Sequence, residues 1–134
     1  MQDHAVQRGE ERLHLPAHPS APTSARSFVA GVMTRWGMDE LAETATLLVS
    51  ELVTNAIQHA SSEVDIVVAG AGSAVRVAVH DHSGRVPLRL MTDADGRGGR
   101  GLQLVESLSD AWGVDCSPGD GKDVWFEMTL QEPA

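Results

Sequence analysis

Glu51, Asn55 and His59 follow one another at four-residue steps within residues 41–60, a stretch free of glycine and proline. Each step advances a helix by about 400°, so the three form one polar stripe. An Asn carbonyl is a hard oxygen donor suited to Mg2+. A Glu one turn away can take a proton from a hydroxyl or a water. The same stripe can equally be the solvated flank of an amphipathic helix. Two further stretches carry chemistry. Asp81-His82-Ser83-Gly84 closes an apolar run, and a buried Asp there can accept a hydrogen bond from a purine's exocyclic amine. Gly98-Gly99-Arg100-Gly101-Leu102 leads into a helical pattern. Its glycines let the backbone approach phosphates, and the helix start offers unpaired amides and a positive dipole end. Singly, these stretches read as a turn former and a flexible loop. Together with the helical stripe they meet the needs of a nucleotide site.

The elements that must position these residues are legible in the pattern. Leu41, Ala45, Leu48, Leu52 and Ala56 recur on one face of a helix expected over about residues 40–60, with Asp39 as N-cap and Glu43 in the first turn. A preceding helix is expected over Ala25–Trp36, capped by Thr23 or Ser24, with Phe28, Val32 and Trp36 on one face and Gly37 ending it. Val64–Ala69 and Ala74–His80 read as strands joined by a Gly70–Ser73 turn, an antiparallel hairpin. A helix through Leu102, Val105 and Leu108 follows an irregular stretch, residues 81–98. Trp112–Asp115 and Lys122–Leu130 form a second hairpin around Pro118–Gly121. Ahead of all this, residues 1–10 read as a disordered lead-in, residues 11–16 as a short edge strand, and Ala17–Pro22 as a loop. One domain over residues 11–130 is expected. Hairpins rather than strand-helix-strand units predict an α+β two-layer sandwich, a mostly antiparallel sheet with helices on one face.

Bulk properties narrow the partners. The 134 residues suffice for one domain with a real core. A net charge of −9 argues against a binder of nucleic acid through a basic face, and suits a basic protein partner. No apolar run reaches membrane-spanning length and the first ten residues lack the apolar core of a signal peptide, so a cytoplasmic protein is expected. The single Cys116 allows no internal disulfide and no cysteine-rich metal site. His4, His14, His18, His59, His80 and His82 show no ligand spacing along the chain, and His80 and His82 read as surface groups at a strand end. Trp36, Trp112 and Trp125 read as core or partner-facing aromatics.

In their order, the three stretches resemble the N, G1 and G2 boxes of the GHKL (Bergerat-fold) ATPases. The chain's size and the string Ser50-Glu51-Leu52-Val53-Thr54-Asn55-Ala56 resemble the anti-sigma factor serine/threonine kinase branch, over about residues 11–130. The resemblance implies ATP and Mg2+ as cofactors, Glu51 as catalytic base, Asn55 as Mg2+ ligand and Asp81 as the adenine-binding residue. It implies a nucleotide-binding role for Ser83, Gly84, Gly98, Gly99, Arg100, Gly101 and Leu102, an ATP lid over residues 86–98, and a packing or orienting role for His59. It further implies a homodimer that sequesters a sigma factor and phosphorylates a small anti-anti-sigma protein of the STAS type. The second box departs from the family's Asp-x-Gly-x-Gly, since Ser83 and Arg85 replace both glycines. A Cβ at those places bears on ATP affinity more than on fold. The lid has no lysine, so Arg97, Arg100, Mg2+ and backbone amides would meet the phosphate charge. The altered box motivates a second reading, a nucleotide-binding regulatory module without kinase chemistry; the retained Glu51 speaks for the kinase.

Overall fold

The computed structural model describes residues 7–60, 62–82, 100–117 and 119–131. Its strands are β1 (Gln7–Leu15), β2 (Val64–Ala71), β3 (Ala74–Asp81), β4 (Ala111–Ser117) and β5 (Gly121–Thr129). Its helices are α1 (Ala21–Arg35), α2 (Asp39–Asn55), which runs on into a π-helical turn over Ala56–Ala60, and α3 (Arg100–Leu108). The five strands form one sheet in the order β1-β2-β3-β5-β4, every adjacent pair antiparallel. This is the expected α+β sandwich.

Alternation decides which face is buried. Val64, Ile66 and Val68 on β2, Val75, Val77 and Val79 on β3, and Val124, Phe126 and Met128 on β5 all point inward. Against them lie Ala21, Ala25, Val29, Val32 and Met33 of α1 and Ala45, Leu48, Val49, Leu52 and Val53 of α2. Each of the buried Val, Leu, Ile, Phe and Met side chains contributes about 1.5–3 kcal/mol. The sheet's other face carries polar residues, among them Arg76, whose guanidinium lies 3.9 Å from the Trp125 ring centroid.

Several boundaries differ from expectation. β1 starts at Gln7, inside the stretch expected to be a lead-in, because pairing with β2 continues to Ala71 through an irregularity between Gln7 and Gly9; residues 1–6 lie outside the described residues. α1 starts at Ala21 rather than Ala25. Pro22 sits in its first turn, where a missing N–H costs nothing, so the proline that read as loop opens the helix. Asp39 is not the N-cap of α2: Met38 holds that position without a side-chain cap, and Asp39 Oδ1 accepts a hydrogen bond from Thr34 Oγ1 at 3.0 Å. The β2–β3 turn tightens to Gly72 and Ser73, with Gly72 at φ +62°, a conformation that favours glycine.

Candidate functional site

Glu51 and Asn55 lie one turn apart near the C-terminal end of α2, both half-buried rather than solvated. The Nδ2 of Asn55 is buried without a hydrogen-bond partner among the described residues. A buried, unpaired amide is costly unless a ligand completes it. The stripe is therefore more than an exposed flank. His59 falls in the π-helical turn that follows.

Asp81 is the last residue of β3 and, by the alternation of that strand, faces the helices with Val75, Val77 and Val79. Only 3% of it is exposed. Its register partners are Val64 at the start of β2 and Lys122 on β5. The π-helical turn after α2 ends at Ala60 and β2 begins at Val64, a connection spanning about 14 Å at most. That tether holds the C-terminal end of α2 at the same end of the sheet as Asp81. α3 reaches the sheet from the other direction. It hands over to β4 at Ala111, opposite Glu127 and far from Lys122 along β5, and it packs on α2 and β4. Its N-terminus therefore points back toward the Asp81 end. Arg100, Gly101 and Leu102 form that first turn, with its unpaired amides. The end of α2 and Asp81, remote in sequence, thus lie at one end of the sandwich. Ser83, Gly84, Gly98, Gly99 and the expected lid over 86–98 lie outside the described residues.

One residue of this neighbourhood was not anticipated. The Lys122 ammonium donates a hydrogen bond to Asp81 Oδ2, and both side chains are almost fully buried, at 7% and 4% exposure. The sequence did hold a signal: Lys122 continues the inward-facing series of Val124, Phe126 and Met128. A charge at an inward position of a buried strand needs a partner, and Asp81 supplies it. Gly121 just before it has φ +87°, and a Cβ there would be driven into the Asp81 carbonyl. The close approach of β5 to the end of β3 thus requires glycine.

A second polar group lies on the opposite, open face of the sheet. Spacing along the chain gave no sign of it, but the register sets His14 of β1 against Asp65 of β2, and Asp65 against His80 of β3. His14 Nδ1 lies 2.6 Å from Asp65 Oδ1, and His82 Nε2 lies 2.8 Å from Asp65 Oδ2. The hydrogen bond to Asp65 is the largest influence on His14 and raises its pKa above the ordinary 6.5, against desolvation and with help from Glu63. Burial pushes the Asp65 carboxyl up, but hydrogen bonds from both histidines, with their charges, outweigh it and hold Asp65 below its ordinary value.

Residues 15–128 match the family of the histidine kinase-like ATPase domain, and the chain belongs to it. Among solved structures, it is similar to the RsbU and RsbW domains of Rv1364c from Mycobacterium tuberculosis, with a TM-score of 0.69 and 22% identity. The likeness covers 92% of this chain and 34% of that one, so the present chain spans about a third of the solved chain's length. At that identity the likeness establishes the shared fold. No curated protein matches the chain. Among the described residues, no helix is long and apolar enough to cross a membrane.

Proposed function

We propose that this chain is a cytoplasmic anti-sigma factor with ATP-dependent serine/threonine kinase activity, which sequesters a sigma factor and phosphorylates a STAS-type anti-anti-sigma protein. Family membership and the RsbW-like fold support this reading. The observation that carries it is the pairing of half-buried Glu51 and Asn55 on α2 at the end of the sheet where Asp81 is buried. The oxygen donors of Asn55 and Glu51 fit a hard cation, and Asn55, through its Oδ1, is the residue that would hold Mg2+, leaving its buried Nδ2 to donate to a phosphate or water oxygen. When bound, Mg2+ neutralises charge on the phosphates. Glu51 accepts the proton of the acceptor Ser or Thr hydroxyl and aims that oxygen at the terminal phosphate. Asp81 accepts a hydrogen bond from the adenine amine, sharing its carboxylate with Lys122. The amides that open α3 receive phosphate oxygens. A homodimer is part of this reading.

One observation favours the alternative, a nucleotide-binding module that works by partner binding alone. In the second box Ser83 and Arg85 stand where the family pattern has glycine. The two readings separate on Glu51→Gln, which keeps the side chain's shape and removes the base. Phosphate transfer from labelled ATP to the partner should fall by at least about 10²-fold while ATP binding and sigma-factor capture persist. Equal transfer rates in wild type and variant would remove Glu51 from catalysis. Absence of transfer from wild type that binds ATP would favour the module.

A further inference from the structure

The open face of the sheet brings together His14, Asp65 and His82, each of which offers one ligand atom within 4.8 Å of the other two. They come from β1, β2 and the residue just past β3, so the sheet itself assembles them. We propose that they form a binding site for a borderline divalent ion, Zn2+ foremost, with His14 ligating through Nδ1, Asp65 through its carboxylate and His82 through Nε2.

Four features carry this. The first is the donor set, two imidazoles and a carboxylate, which suits Zn2+, Ni2+ or Cu2+ and not the all-oxygen preference of Mg2+ or Ca2+. The second is reach. Zinc bonds of about 2.0–2.2 Å place tetrahedral ligand atoms roughly 3.3 Å apart. The imidazoles contact different oxygens of Asp65, at 2.6 and 2.8 Å, and one ligand atom from each residue lies within 4.8 Å of the others, so an ion needs these contacts to open by about half an ångström and the two rings to draw together by side-chain rotation. The third is support from outside the ligand set. Glu63 Oε1 lies 2.8 Å from His14 Nε2, the ring nitrogen that does not face Asp65. A carboxylate on the other nitrogen is the usual way a ligating histidine is oriented and made more basic. The backbone N–H of His82 donates to Ser62 Oγ at 2.9 Å, and the His80 ring packs edge-on at 4.9 Å, so His82 is also held. The fourth is access: the side chains of His14, His82 and Asp65 are 53%, 46% and 34% exposed, open to a solvent ion.

The alternative, a stabilising cluster of hydrogen-bonded pairs, explains less. Exposed ion pairs contribute about 0–1 kcal/mol each, a small return for two imidazoles converging on one carboxylate. With three protein ligands, a tetrahedral ion keeps a fourth position for water. An ion held here ties β1 and β2 to the chain directly after Asp81, where β3 leaves the sheet. This site faces away from the helices and is independent of the nucleotide reading.

The test uses untagged full-length protein, stripped with a chelator and titrated with Zn2+ against a chromophoric competitor. Wild type should take up a first equivalent that excess Mg2+ does not displace, and Zn2+ should raise its melting temperature. Asp65→Asn and His82→Gln should each weaken that uptake at least about tenfold and abolish the melting shift, and Glu63→Gln should weaken it less. His18→Gln, outside the cluster, should leave both readouts unchanged. Circular dichroism of each zinc-free variant establishes that it is folded, and His14→Gln replaces any variant that is not. Wild type that binds no Zn2+, or ligand variants that bind it as wild type does, would overturn the proposal. ATP binding is read separately in the same preparations.

Discussion

Lys122 is the only lysine in the chain, and it is buried against Asp81 rather than offered to phosphates. Two charges removed from water stabilise each other as a pair, so losing the ammonium leaves the buried Asp81 charge without its opposite charge. Lys122→Met should lower unfolding free energy by about 3–5 kcal/mol, and adding Asp81→Asn should recover much of that loss; urea denaturation of the two variants and wild type measures both. Undiminished stability in Lys122→Met would show that the pair carries no structural weight. Glu51, Asn55 and Asp81 were legible in the sequence because each sits in a local pattern, a helical stripe or a strand end. Lys122 is 41 residues from Asp81, and His14 is 51 from Asp65. No local period links residues so far apart; only the sheet register does.

At the scale of elements, periodicity located each helix and strand among the described residues but misjudged some of their ends. Apolar spacing reports the buried face and is silent where a terminus is set by one residue or by a neighbouring strand. Pro22 opens α1 four residues earlier than its apolar stripe suggests, and β1 extends to Gln7 because β2 offers a partner that far. The start of β5 is fixed by contact as well. Gly121 combines φ +87° with the nearby Asp81 carbonyl. Gly121→Ala should cost at least about 1–3 kcal/mol from the backbone conformation alone, read as a lower denaturation midpoint. It should also weaken nucleotide binding, because the displaced strand carries Lys122 and with it Asp81. A variant as stable as wild type would mean that β5 can move away from β3 at no cost.

Across the whole molecule, the two hairpins were visible in sequence, but the insertion of β5 between β3 and β4 was not. That pairing buries Val77, Val79, Val124 and Phe126 in one layer, and it is what sets Lys122 beside Asp81. On the proposed reading the helix-facing end of the sandwich takes ATP, and calorimetric titration of the full chain with ATP, with and without Mg2+, is the decisive measurement. Wild type should bind with a Kd within the roughly 1 μM–1 mM range of ordinary substrate levels, more tightly with Mg2+, and Asn55→Ala should lose the benefit of the metal. Folded wild-type protein that takes up no ATP across that range, with Mg2+ present, would contradict the account.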